Sequence, residues 1–201
     1  MKTKNKFGIK DIVTVAAMMV LFFGASMIIG MVALPIPIVY LYGTAGIEMF
    51  IGAIFYLVAA NRINKHGLLF VWATVYGIIN GVMGYTFMTL YFVIVGIIAE
   101  LAMLGKDTYR NPLRNMIGWD IYSIGMVVGI AMPIWAAWDS YKKMALSGGF
   151  SLETLKMQYN MVTRPELMLV AIIVTVILSS LGILFGQKLL KKHFKKAGIV
   201  G

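Results

Sequence analysis

The chain has 201 residues, of which 60% are hydrophobic, with no cysteine and a formal net charge of +10. This apolar share exceeds the roughly 45–50% of an ordinary soluble domain. Together with a mean hydropathy of +0.85, it excludes such a domain. The missing thiols also exclude disulfides, thiolate metal sites and cysteine nucleophiles.

Six stretches of the chain are long and apolar enough to cross a bilayer, whose hydrocarbon core of about 30 Å needs about 20 helical residues. In chain order they cover residues 12–33, 38–60, 67–84, 87–104, 116–138 and 166–187. Only Gly84-Tyr85-Thr86 separates the third from the fourth, which predicts a tight helical hairpin. We therefore expect residues 1–201 to form a single all-α integral membrane domain, a bundle of six transmembrane helices.

Basic residues lie in alternate gaps between these stretches. If the amino terminus is inside, fourteen of the Lys and Arg residues fall in the cytoplasm and only four, all within 139–165, fall outside. Because positively charged loops stay inside, both termini are predicted to be cytoplasmic, in the bacterial cytoplasmic membrane. Topology and anionic lipid headgroups account for the basic charge, so we expect no nucleic-acid binding.

Two irregular segments lie on the predicted outer side. In the first, Pro35 and Pro37 lack backbone donors and impose extended geometry, and we expect them to form a stiff gating loop. The second, 139–165, contains Ser151 and Thr154, each suited to cap a short amphipathic helix. That helix is either a lid over the bundle or a solvated spacer.

Small residues recur at helical spacing in Ser26-x-x-x-Gly30, Gly77-x-x-x-Gly81, Gly125-x-x-x-Gly129 and Gly182-x-x-x-Gly186. Such ridges let helix backbones approach each other closely within a membrane. We favour packing within this bundle over a docking face for a separate protein.

Carboxylates at membrane depth are informative, because each costs a few kcal/mol unless it is paired or hydrated. Glu48 lies near the middle of the second stretch, and is either a ligand contact or a protonated acid hydrogen-bonded to a neighbouring helix. Glu100 and Asp120 lie close to the basic loop 106–114, where internal ion pairs would account for them. Glu166 follows Pro165, which favours a role at a helix start over one in binding.

Aromatic and methionine side chains gather on the predicted outer side. An interfacial aromatic belt accounts for many of the aromatics, but 16 methionines would also suit a pocket for a large apolar ligand. Both histidines fall on the predicted inner side. The sequence has no metal-binding cluster, nucleotide-binding loop or hydrolytic nucleophile elbow, so we expect no enzymatic activity, metal or resident cofactor.

The layout as a whole resembles the substrate-binding S components of energy-coupling-factor (ECF) transporters, in particular the Trep_Strep-type members. The shared features are the chain length, six spans, an inner amino terminus, a proline-bearing outer loop after the first span and a longer outer loop before the last. The stretch Lys10-Asp11-Ile12-Val13-Thr14-Val15-Ala16-Ala17-Met18 is similar to the opening of the first helix in that group.

This resemblance implies a protein that captures a vitamin-like micronutrient outside and delivers it inward with a transmembrane coupling protein and two cytoplasmic ATPases, which use the ATP. Many S components dock on the coupling protein through an Ala-x-x-x-Ala motif. This sequence departs from that motif, because Ala17 is followed four residues later by Leu21. Val13 and Ala17 can still form a flat surface, and they are the expected contact. Haem is the first specific ligand candidate, beside a flavin or a pterin.

In the family the ligand pocket lies in the outer half of the bundle. The corresponding positions in this chain, with Glu48 added, are the expected substrate-binding residues. They are Tyr40, Glu48, Tyr85, Met88, Tyr91, Trp135, Trp138 and Glu166. The alternative function, from a different class, is an autonomous proton-coupled secondary transporter of a small solute in which Glu48 carries the proton. A membrane enzyme is a more distant option.

Overall fold

The computed structural model describes residues 7–194, with side chains to residue 192. This part of the chain contains helices and no strand, which confirms the predicted all-α class. The helices are α1 (Ile9–Ala33), α2 (Pro37–Tyr42), α3 (Thr44–Ile63), α4 (Leu68–Val82), α5 (Thr86–Leu101), α6 (Pro112–Ser147), α7 (Leu152–Thr163) and α8 (Pro165–Leu189). A 3-10 turn (Thr108–Arg110) precedes α6, and a π-helical turn (Leu190–Phe194) follows α8.

Four of these helices, α1, α3, α6 and α8, are long and apolar enough to cross a membrane. The apolar helices α4 and α5 have only 15 and 16 residues. At about 1.5 Å per residue they are shorter than the roughly 30 Å hydrocarbon core. Six full-length spans are therefore not observed, since α4 and α5 end before the predicted limits of 67–84 and 87–104.

The orientation of the bundle stays a prediction. Five of the lysines on which it depends lie outside the described residues, namely Lys2, Lys4, Lys6, Lys195 and Lys196.

The hairpin between α4 and α5 is confirmed. Gly84 lies in its turn with φ +110, a conformation that favours glycine. A Cβ on Gly77 would lie 2.8 Å from the Cβ of Phe92, and the Thr89 hydroxyl donates a hydrogen bond to the Gly77 carbonyl at 3.0 Å. The Gly77-x-x-x-Gly81 ridge therefore packs two consecutive helices of the bundle together.

The second predicted span, 38–60, is two helices. Pro37 is the first residue of α2, where its missing N–H breaks no helical hydrogen bond, and Gly43 separates α2 from α3. The Thr44 hydroxyl donates to the Val39 carbonyl at 3.2 Å, which occupies an acceptor at the end of α2. Glu48 consequently lies near the start of α3, and its predicted place near the middle of a span is wrong.

The helix α6 bends close to residue 138, where the predicted span 116–138 ends. Pro133 lies inside it, and the backbone leaves helical geometry at Ala137, with φ −159 and ψ 62. A proline removes one helical hydrogen bond and crowds the preceding turn, which is a usual cause of kinks. The turns of α6 after Ala137 therefore run in a different direction from the apolar turns before it.

The long helices α3 and α8 touch at their backbones. A Cβ on Gly182 would lie 2.6 Å from both Cα and the carbonyl oxygen of Phe50, and a Cβ on Gly186 would lie 2.8 Å from a methyl group of Leu57. The Gly182-x-x-x-Gly186 ridge thus packs within the bundle, as predicted. By contrast, a Cβ on Gly30 would meet nothing within 4 Å.

Glu100 stabilises the start of α4. Its carboxylate accepts hydrogen bonds from the N–H groups of Gly67 at 2.7 Å and Leu69 at 3.1 Å, donors that have no partner inside the helix. The Tyr109 hydroxyl donates to it at 2.5 Å, and burial raises the pKa of Tyr109, which keeps this donor protonated. His66 Nδ1 lies 3.8 Å from the carboxylate.

Asp120 is held by hydroxyl groups. Ser179 donates to one of its oxygens and Ser180 to the other, the latter at 2.7 Å. Among the described residues, no basic side chain of the loop 106–114 pairs with Asp120 or Glu100. The predicted ion pairs with that loop are wrong, because backbone amides and hydroxyls from other helices satisfy both acids.

We predict that Gly182→Val destabilises the bundle, because its side chain would press on the Phe50 backbone, which cannot turn aside. Overpacking of this kind costs about 1–3 kcal/mol, measurable as a lower unfolding temperature in detergent. Gly24→Val is the matched control, since a Cβ on Gly24 would meet nothing within 4 Å. Equal stability of the two variants would contradict the close contact between α3 and α8.

Candidate ligand-binding site

A cavity of about 280 Å³ lies at the end of the bundle that carries α2 and α7. Helices α1 to α7 contribute to it, whereas none of its lining residues belongs to α8. The lining consists of Gly30, Tyr40, Leu41, Thr44, Ala45, Glu48, Tyr76, Asn80, Tyr85, Met88, Phe92, Met126, Gly129, Ile130, Pro133, Tyr141, Gln158 and Met161. Aromatic, methionine and uncharged polar side chains therefore surround a single acid.

Glu48 is the only residue in this lining that carries a formal charge. The hydroxyl of Ser26 lies beside it but makes no hydrogen bond of normal geometry. Among the described residues, no Lys, Arg or His forms an ion pair with Glu48. Nor does any group of three or more His, Asp or Glu residues in that part of the chain offer a metal site. The carboxyl group is thus available to a ligand.

The break at Gly43 positions the side of the cavity nearest α2. Because α2 stops there, Tyr40 lies against the Phe150 ring, with centroids 5.5 Å apart and planes at 77°. Tyr85 reaches the cavity from the turn between α4 and α5. Among the described residues, no hydrogen bond holds the hydroxyl groups of Tyr40 and Tyr85, which leaves both free to bind a ligand.

An aromatic cluster closes the cavity towards the middle of the bundle. Tyr76 and Phe92, both in the lining, meet edge to face with centroids 4.9 Å apart. Deeper in the bundle, Trp119 and Tyr56 stack at 4.6 Å, and the Trp119 indole donates to the Met49 carbonyl at 3.0 Å. Phe92, Trp119 and Tyr56 are each at most 1% exposed, Tyr76 is half-buried, and together these rings form the floor of the cavity.

The amphipathic helix α7 covers the cavity. Of the two predicted caps, Ser151 is the N-cap, and it accepts a hydrogen bond from the N–H of the other, Thr154, at 3.0 Å. Gln158 and Met161 of α7 form part of the lining, and Gln158 accepts a hydrogen bond from the Tyr141 hydroxyl at 3.0 Å. Helix α7 thus lies where a lid would lie. That it acts as a lid and not as a spacer stays a prediction.

Of the eight predicted binding residues, Tyr40, Glu48, Tyr85 and Met88 line the cavity. Tyr76 and Asn80 of α4 also line the cavity but are not among the predicted binding residues. Their spacing of one helical turn in a mostly apolar helix is the sequence signal that indicates them. The resemblance to S components implies a pocket formed mainly by the later spans, which leaves out α4.

The other four predicted binding residues are absent from the lining. The Tyr91 hydroxyl donates to the Gly125 carbonyl at 2.7 Å. The Trp135 indole, more than half exposed, donates to the Val162 carbonyl at 3.1 Å.

Trp138 packs on the ring of Tyr159, with centroids 4.8 Å apart, rather than on the cavity. Glu166 is exposed and forms an ion pair with Arg164 at 2.7 Å. This contact at the start of α8 fits the helix-start role that Pro165 suggested.

The predicted gating and docking residues lie elsewhere in the bundle. Pro35 is in the turn between α1 and α2 and Pro37 begins α2, so both flank the cavity without lining it. Val13 and Ala17 are exposed on one face of α1. Their contact with a coupling protein stays a prediction.

Residues 9–196 match a protein family described as a hypothetical bacterial integral membrane protein (Trep_Strep). No curated protein and no solved structure matches the chain.

The cavity can be tested by labelling, because the chain has no native cysteine. We expect Ala45→Cys, in the lining, to react with a small water-soluble maleimide in the folded protein. Ala171→Cys is the matched control, since Ala171 is 2% exposed and does not belong to the cavity lining. Mass spectrometry of the intact protein measures the labelling. Failure of Ala45→Cys to react faster than the control would contradict an accessible cavity.

Proposed function

Because this chain belongs to the Trep_Strep family of bacterial integral membrane proteins, we propose that it is the substrate-binding S component of an ECF-type importer. It captures a vitamin-like micronutrient on the outer side of the membrane. A transmembrane coupling protein and two cytoplasmic ATPases complete the importer and use the ATP. The chain itself is not an enzyme.

The observation that carries this proposal is a cavity at the end of the bundle that holds α2 and α7, covered by α7 and floored by aromatic rings. Phe22, Tyr56, Trp72, Trp119 and Tyr122 are each at most 1% exposed and fill the bundle beyond the floor. Such an arrangement binds a small molecule but offers it no path through the protein. Partners that move the loaded protein would supply that path.

The exposed face of α1, which points away from the bundle, supports the proposed contact with a coupling protein. Val13 is 60% exposed, and the small side chains of Ala16 and Ala17 are exposed beside it. A flat strip of this kind lets another helix approach closely within a membrane.

Glu48 favours the second candidate, a proton-coupled secondary transporter. A carboxyl group inside a membrane bundle with no basic partner is a common feature of proton relays. The two candidates differ in their need for partners, because a secondary transporter works as a lone chain.

The deciding experiment is co-expression with a coupling protein and ATPases from the same bacterium. We expect the tagged chain to retain all three during purification, and Val13→Trp to weaken this association because its side chain would hold the partner helix away. Val32→Trp is the matched control, since Val32 is 71% exposed near the other end of α1. Proton-driven uptake by the lone chain in liposomes would instead establish the secondary transporter.

For ligand binding, we predict that Glu48→Gln retains about tenfold less of the small molecule that co-purifies with the protein, a loss of about 1.4 kcal/mol. Asp120→Asn should retain the normal amount, because Asp120 lies outside the cavity lining and bonds to serines. Quantitative mass spectrometry measures the retained compound. Equal retention by the two variants would remove Glu48 from the site.

The absorption spectrum of the same preparation tests the haem candidate. A Soret band that persists through purification would identify haem. A colourless protein whose spectrum does not change on haem titration would reject it.

A further inference from the structure

We propose that the cavity takes a small organic cation, a protonated amine or a quaternary ammonium group, that pairs with Glu48 and is enclosed by tyrosine rings. This inference rests on the proposed binding role and names the chemistry of the ligand. It follows from the charge, the aromatic lining and the size of the cavity.

The charge of the lining favours a positively charged ligand. Glu48 faces the cavity without an ion pair or a regular hydrogen bond among the described residues. An isolated carboxylate in a bundle of low dielectric is costly, and a cation beside it recovers much of that cost. A phosphate or carboxylate ligand would meet Glu48 with no Lys, Arg or His in the lining to balance it.

The aromatic lining selects the type of cation. Tyr40, Tyr76, Tyr85, Tyr141 and Phe92 all line the same cavity as Glu48. Aromatic faces attract ammonium groups, and cages of several rings recognise quaternary ammonium ligands in particular.

The remaining surface suits an apolar body attached to that cation. Met88, Met126 and Met161 supply flexible thioethers, which adapt to irregular apolar shapes. The unbonded hydroxyl groups of Tyr40 and Tyr85 can bind polar groups of the ligand.

The size of the cavity favours a small ligand. At about 280 Å³ it lies just below the usual range of ligand pockets, roughly 300–1,000 Å³. Haem is larger and carries two carboxylates, for which the lining holds no basic partner. Charge and volume together therefore favour a small cation over haem.

The first test compares choline with 3,3-dimethylbutan-1-ol, a neutral molecule of nearly the same shape, by isothermal titration calorimetry on the detergent-solubilised chain. We expect choline to bind at least about tenfold more tightly. Benzyltrimethylammonium serves as a second, ring-bearing cation. Equal binding of the neutral compound, or no binding of either cation, would overturn the proposal.

Matched variants assign the effect to the cavity. Glu48→Gln should lower choline affinity about tenfold and leave binding of the alcohol unchanged, whereas Asp120→Asn should change neither. A loss of choline binding in both variants would point to a general structural effect and count against the proposal. Unfolding temperatures of the three proteins show whether each remains folded.

A second test measures charge selectivity without a reversible ligand. In Ala45→Cys, a trimethylammonium methanethiosulfonate should be favoured about tenfold over its sulfonate counterpart once each rate is divided by that reagent's rate with a free thiol in solution, because Glu48 lies one helical turn away. Adding Glu48→Gln should remove this normalised difference. Equal normalised rates in Ala45→Cys alone would overturn the proposal.

These tests use the lone chain and so separate the two proposals. Cation binding without retention of a coupling protein would keep this inference and remove the importer role. Retention of the importer partners without cation preference would do the reverse.

Discussion

Close backbone contact at small residues is the constraint on which the rest of this bundle depends. Within a membrane, apolar side chains gain nothing by leaving lipid for one another, so helices associate through tight van der Waals contact and satisfied polar groups. Gly182 lets α8 reach the Phe50 backbone of α3, and Gly77 lets α4 reach α5. These two contacts hold α8 against α3 and α4 against α5.

The cavity lies where regular helix packing is interrupted. Gly43 separates α2 from α3, and the kink at Ala137 changes the direction of α6. Helix α7 then covers the space that remains, with Gln158 and Met161 facing it. The cavity is therefore a product of two interrupted helices and one covering helix, above a floor of aromatic rings.

The acids within the bundle show how structure separates two roles for the same side chain type. Glu100 receives backbone N–H groups of α4, and Asp120 receives two hydroxyl groups of α8. Both carboxyls are satisfied by their surroundings. Glu48 has no ion pair among the described residues, has the Ser26 hydroxyl beside it without a hydrogen bond of normal geometry, and faces the cavity. A ligand can therefore supply the partner that its carboxyl group lacks.

The sequence by itself determined the features that depend on local pattern. Hydropathy over the length of a helix indicated a helical membrane protein, and the turn at Gly84 indicated the α4–α5 hairpin. Ser151 and Thr154 indicated a short helix nearby, and the structure selects Ser151 as its cap. Only the tertiary structure decided that Glu100 caps α4, that Tyr76 and Asn80 line the cavity, and that α8 does not. These outcomes depend on which helix faces meet across long separations in the chain, and periodicity within one helix carries no information about its partner.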